Sequence, residues 1–128
     1  MSISIITARA ADGPLTVEVT DPHFPQNVAG VLWRYTPAKQ PDGQAGRFTP
    51  LHPSVPIGTV QGNAGKFFLV EGAVLHQNDN PPTPYQVVVT VRQPGRVLSE
   101  EVPPDGGSGQ VGDQDAPFVY RFQIQEAP

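Results

Sequence analysis

The sequence predicts an all-β fold, a single-domain antiparallel β-sandwich of about eight or nine short strands, with a small β-barrel as the alternative. Three observations predict it. Apolar and polar residues alternate with period two in several segments, most cleanly at 84–92, where Tyr85, Val87, Val89 and Val91 share one face and Gln86, Thr90 and Arg92 the other. The 16 prolines and 13 glycines cluster between such segments, as turn residues do in a domain with many short connections. No window carries apolar residues at helical spacing for three turns without a Pro or Gly interrupting it.

Each segment follows from the same rules. Residues 2–9 read as an Ile-rich strand with Ile3 and Ile5 inward, and Asp12-Gly13 as a tight turn into a strand at 15–20, so that the two form a hairpin. Prolines 22 and 25 break the pairing, and the next strand starts near Val28 with Val31, Trp33 and Tyr35 on the core face. That parity makes Trp33, the one tryptophan, a plug between two sheets. A loop spans 36–46. Segments 47–51 and 55–60 hold prolines that only edge strands tolerate. After the Gly62-Asn63-Ala64-Gly65 turn, 66–71 is apolar on both faces, with Phe67 and Leu69 inward, which places it centrally or at an interface. Pro94-Gly95 turns 84–92 back into a partner strand at 96–102. A long loop over 103–117 precedes a closing strand with Phe118, Tyr120, Phe122 and Ile124 inward.

The length of 128 residues suits one domain, residues 1–128, with one core. Without cysteine the fold has neither disulfides nor thiolate ligands, so packing must hold it together. A net charge of −4, with the eight Lys and Arg residues scattered, argues against nucleic acid or an anionic membrane as partner. The first nine residues have no basic residue before a short apolar part, and no stretch is long enough to span a bilayer. The expected location is the cytoplasm, or outside it by a route without a cleavable signal peptide.

The tryptophan on the third strand and the tyrosine opening a late strand resemble the immunoglobulin-like sandwich in architecture, without its paired cysteines. Asn78-Asp79-Asn80 before Pro81 and Pro82 resembles the calcium-linker tract of cadherin repeats over about five residues. The resemblance implies calcium ligation by Asp79 and Asn80, although His76 stands where that tract has an acidic residue. As a turn, the same residues bond their own backbone. The run 107–112 spells G-x-G-x-x-G, yet the acidic stretch after it and the strand that follows suit a flexible glycine loop rather than a dinucleotide site, so no cofactor is assigned to it.

Catalytic parts are few, and the chain reads as a non-enzyme. Glu100 and Glu101 are adjacent and point to opposite faces of a strand, and neither Ser54 nor Ser108 sits in a nucleophile motif. The expected role is a non-catalytic interaction or structural module that binds a protein partner or itself, through apolar residues outside the predicted core: Leu32, Phe68, Val70, Val88 and Val119. The alternative is a small-ligand or carbohydrate-binding domain that uses its loops, with Phe24, Phe48 and Tyr35 as aromatic candidates. If every segment reverses direction, the loops after residues 20, 51, 75 and 102 emerge at one end, gathering His23, His52 and His76 with Asp21, Asp79, Asp105, Asp113 and Asp115. Zinc on the imidazoles or calcium on the acidic oxygens is the metal reading of that end, and solvated loops are the other.

Overall fold

The computed structural model describes residues 3–23, 27–76 and 82–128. Two sheets face each other. Strands β1 (Ser4–Ala8), β3 (Val28–Tyr35), β4 (Pro41–Phe48), β6 (Phe67–Val74) and β11 (Ala116–Glu126) form a five-stranded sheet in the order β1-β11-β6-β3-β4. Strands β2 (Leu15–Thr20), β5 (Ser54–Gly58), β8 (Val88–Gln93) and β9 (Arg96–Glu101) form a four-stranded sheet in the order β5-β2-β8-β9. A ribbon of β7 (Thr83–Gln86) and β10 (Ser108–Val111) lies at one end, and neither main sheet closes into a barrel. Both inner faces contribute to one core: Leu15, Val17, Val19, Val89 and Val91 from the four-stranded sheet, and Leu32, Phe68, Val70, Phe118, Phe122 and Ile124 from the five-stranded one.

Several expectations need correction. The hairpin at the amino terminus does not form, because β1 pairs in parallel with β11 while β2 joins the other sheet. A short 3-10 turn, Ala10–Asp12, and Gly13 at φ 101° carry the chain between sheets. The buried Gln93 pins that crossover by donating from Nε2 to the carbonyls of Arg9 and Gly13 at 2.8 and 2.9 Å. The segment 84–92 is two strands. Tyr85 and Gln86 pair with β10, the amide of Val87 donates to the Gly107 carbonyl at 2.7 Å, and from Val88 the chain pairs with β2 and β9. Its apolar face is nonetheless buried throughout.

The edge positions expected for 47–51 and 55–60 are those of β4 and β5, but β4 begins at Pro41, inside the stretch read as loop. The stretch read as a turn at 62–65 begins inside a single helical turn, α1 (Val60–Asn63), which Thr59 caps by accepting from the Gly62 amide at 2.9 Å. The glycine-rich run at 107–112 contributes β10 to the ribbon. Connectivity also departs from the constant-type immunoglobulin order, since β5 leaves its sheet at once and the hairpin β8-β9 is inserted between β6 and its neighbour β11.

The largest correction is one of parity. In β3 and β6 the even-numbered residues face inward, so Leu32, Phe68 and Val70 are core, not surface. Val31, Trp33, Tyr35, Phe67 and Leu69, read as core, lie on the outer face at intermediate exposure. In β1, Ile6 and Ala8 are buried while Ile3 and Ile5 are 36% and 60% exposed. The reason is a row of four inward positions across β11, β6, β3 and β4, in register as Phe118, Gly72, Gly30 and Phe48. The two rings lie over the two glycines, with centroids 6.4 Å apart, so a Cβ on Gly72 would come within 2.8 Å of both rings. Arg34, on the inward parity of β3, keeps its stem inside, donates to the Ile57 carbonyl at 3.0 Å and lies 5.6 Å from the Phe68 ring centroid.

Candidate functional site

The ladder registers assemble the outer face of the five-stranded sheet row by row. Tyr35 stands opposite Phe67, Phe67 opposite Gln123, and Gln123 opposite Ile5. In the next row Trp33, Leu69 and Arg121 are neighbours, and Ile3 precedes β1 beside them; beyond that come Val31, Glu71 and Val119. The face is mostly aromatic and aliphatic, which is why β6 reads as apolar on both sides. Trp33 donates from Nε1 to a Glu71 oxygen at 3.4 Å, a long bond. The outer face of the other sheet is more polar, carrying Thr16, Glu18, Thr90, Arg92 and Glu100 beside Val88 and the exposed Val97. There Arg92 bridges Glu18 at 3.0 Å, and Ser54 donates to Glu18 at 3.4 Å.

At one corner of the apolar face Ile3, Tyr35, Lys39, Phe67, Phe68 and Arg121 line an open slot of about 290 Å³. Lys39 sits at φ 64°, the one non-glycine residue with positive φ among the described residues, in a turn closed by its amide donating to the Thr36 carbonyl at 2.7 Å. Its ammonium lies 5.2 Å from the Phe67 ring centroid.

Of the residues read as interface candidates, Val119 alone lies on this face; its amide donates to the Asp105 carbonyl at 3.0 Å. Val88 is 7% exposed on the polar sheet, and Leu32, Phe68 and Val70 are in the core. The missed residues carried a signal: Gly30 and Gly72 stand on the even-numbered parity, where large neighbours must cover them.

The loops after β2, β4, β6 and β9 do share an end. Thr20 pairs with Val88, Glu101 with Val89, and Val28 with Val74, while the Val19 amide donates to the Pro53 carbonyl at 3.0 Å. His76 and Asp115 meet there, with both the backbone amide and Nδ1 of His76 on Asp115 Oδ1 at 2.9 and 2.8 Å. Those contacts, the amide first, hold the Asp115 carboxyl below its ordinary pKa. Asp21 accepts from the Gln86 amide at 3.0 Å and so ties β2 to the ribbon. Among the described residues no three of His, Asp or Glu converge as a metal-holding group, His23, His52 and Asp113 included; Asp79 and most of the Asn78–Pro82 tract, and Phe24, lie outside the described residues. Phe48, read as an aromatic loop candidate, is fully buried.

Where β1 and β9 approach across the sandwich edge, Glu101 accepts from the hydroxyls of Ser4 and Tyr120, each at 2.9 Å. Burial pushes the Tyr120 phenol up to about 12. Both contacts fall on Oε2 of Glu101 and lace the seam. No helix is long and apolar enough to cross a membrane among the described residues. Compared with protein-family models, curated proteins and solved structures, the chain matches none of them.

Proposed function

We propose that this chain is a non-catalytic interaction module, immunoglobulin-like in its two-layer architecture, that associates with a second copy of itself through the outer face of its five-stranded sheet. The observation that carries the reading is the asymmetry between the two outer faces. One displays Trp33, Tyr35, Phe67 and Leu69 side by side, the other a charged and hydroxylated ladder. Contiguous apolar patches of that kind mark interfaces, whereas scattered apolar residues do not. Strand spacing and rise give three rows across five strands a flat area on the order of 500 Å², below the roughly 800 Å² each partner buries in a standard interface. A weak, concentration-dependent dimer follows. Leu69 lies at the centre of the patch, so Leu69→Asp would force a charge into the contact and weaken association at least about tenfold. Sedimentation velocity over a concentration series reads this directly; a wild-type protein that stays monomeric at high concentration removes the proposal.

A second reading is favoured by one specific feature. Trp33 and Tyr35 lie two residues apart on one strand, with Phe67 beside Tyr35, which makes an aromatic platform beside Glu71, Arg121 and Gln123 of the kind that stacks on sugar rings. This moves the carbohydrate-binding reading from the loops to the sheet face. A glycan array on which wild type and Trp33→Ala give the same signal dismisses it.

A further inference from the structure

The slot at the corner of the apolar face has two kinds of lining. Its walls, Ile3, Tyr35 and Phe67, are apolar, and it holds two cations, Lys39 and Arg121. Among the described residues neither cation forms an ion pair, whereas Lys66, Arg92 and Arg96 pair with Asp42, Glu18 and Asp12 elsewhere on the molecule. Lys39, whose ammonium lies over Phe67, has a left-handed backbone that a β-carbon disfavours, and glycine or asparagine would form that turn with less strain. Backbone outliers of this kind concentrate at ligand clamps.

From this geometry we infer that the slot binds a small apolar monocarboxylate, with the hydrocarbon on Phe67, Tyr35 and Ile3 and the carboxylate between Lys39 and Arg121. Charge complementarity selects this occupant. A neutral apolar molecule would cover two cations and leave both unpaired, which costs more than the apolar contact returns. A small hydrophilic anion would gain the charge-assisted hydrogen bonds and leave the aromatic wall exposed to water. The volume of about 290 Å³ sits at the lower edge of ordinary ligand pockets and suits a medium-chain acid.

The inference rests on the reading of this face as a recognition surface, and the experiment separates the two. Trp33, the one tryptophan, lies two residues from Tyr35 on the same strand and reports binding by its fluorescence. Octanoate, octanol and acetate are titrated into wild type, Lys39→Gln, Arg121→Gln and the double variant at a concentration where the protein is monomeric, with circular dichroism confirming that each is folded. The expected result is saturable binding of octanoate at least tenfold tighter than octanol, no saturation with acetate, and a further tenfold or greater loss in the double variant. Lys39→Arg, which keeps the charge, retains most of the affinity. Equal binding of octanoate and octanol, unchanged binding in the double variant, or no saturable binding of octanoate overturns the inference. If octanoate binds but the protein never associates, the self-association reading falls and the slot stands; the converse result removes the slot alone.

Discussion

Glycine 72 decides which face of β6 is inside. Its α-carbon lies under the Phe48 and Phe118 rings, and the neighbouring Gly30 is closed in by the Glu71 carbonyl and the Phe48 ring. Adding one methyl at Gly72 or Gly30 overpacks a row closed over by the buried Phe48 and Phe118 rings, so Gly72→Ala and Gly30→Ala should each cost about 1–3 kcal/mol. Denaturant titration checks this, with a lower midpoint and an unchanged slope as the expected outcome. Tyr120 gives a pH dependence of definite sign. Its phenol stays protonated in the folded protein to about pH 12, whereas the unfolded chain loses that proton near its ordinary value. The stabilisation is therefore complete below about pH 10 and is lost as pH rises through about 12. Tyr85, raised by burial, adds to the same trend. The melting temperature should fall across that alkaline window, and in Tyr120→Phe the fall should be shallower.

At the scale of the element, what the sequence makes legible is periodicity, and what it leaves open is direction. Alternation locates β2, β3, β8 and β11, because period two is a local property of the chain, while a run apolar on both faces locates β6 and the Pro94-Gly95 turn places β9. In β2, β8 and β11 one parity is plainly more apolar than the other, and there the inward residues, from Leu15 through Val91 to Ile124, are as read. In β3 and β6 both parities are apolar, and a shift of one residue exchanges every side chain between core and surface. Trp33 looks like core because it is large, yet only the packing of Phe48 and Phe118 over the glycine pair shows that the opposite face is inside. The same limit hid the apolar outer face, whose Val31, Trp33, Tyr35, Phe67 and Leu69 read as core while Val119 reads as surface. Long-range pairing is the other limit. That β1 joins β11 in parallel depends on partners more than a hundred residues apart, and that 84–92 splits at Val87 depends on the Gly107 carbonyl and the Asp21 carboxylate. No local pattern carries either.

For the whole molecule, the two sheets bury one core, the seam at Ser4, Glu101 and Tyr120 laces one lateral edge, and the contrast between a polar and an apolar outer face gives the domain a front and a back. The central claim is that the apolar front is the recognition surface and that a second copy covers it. Trp33 stands within that face, and as the one tryptophan it makes the claim measurable without a label. Acrylamide quenching of its fluorescence, followed through a dilution series, tests it most directly. The account predicts an indole open to quencher at low protein concentration and increasingly shielded as concentration rises, with Leu69→Asp keeping the open value throughout. A quenching constant for the wild-type protein that does not change across the series would contradict it.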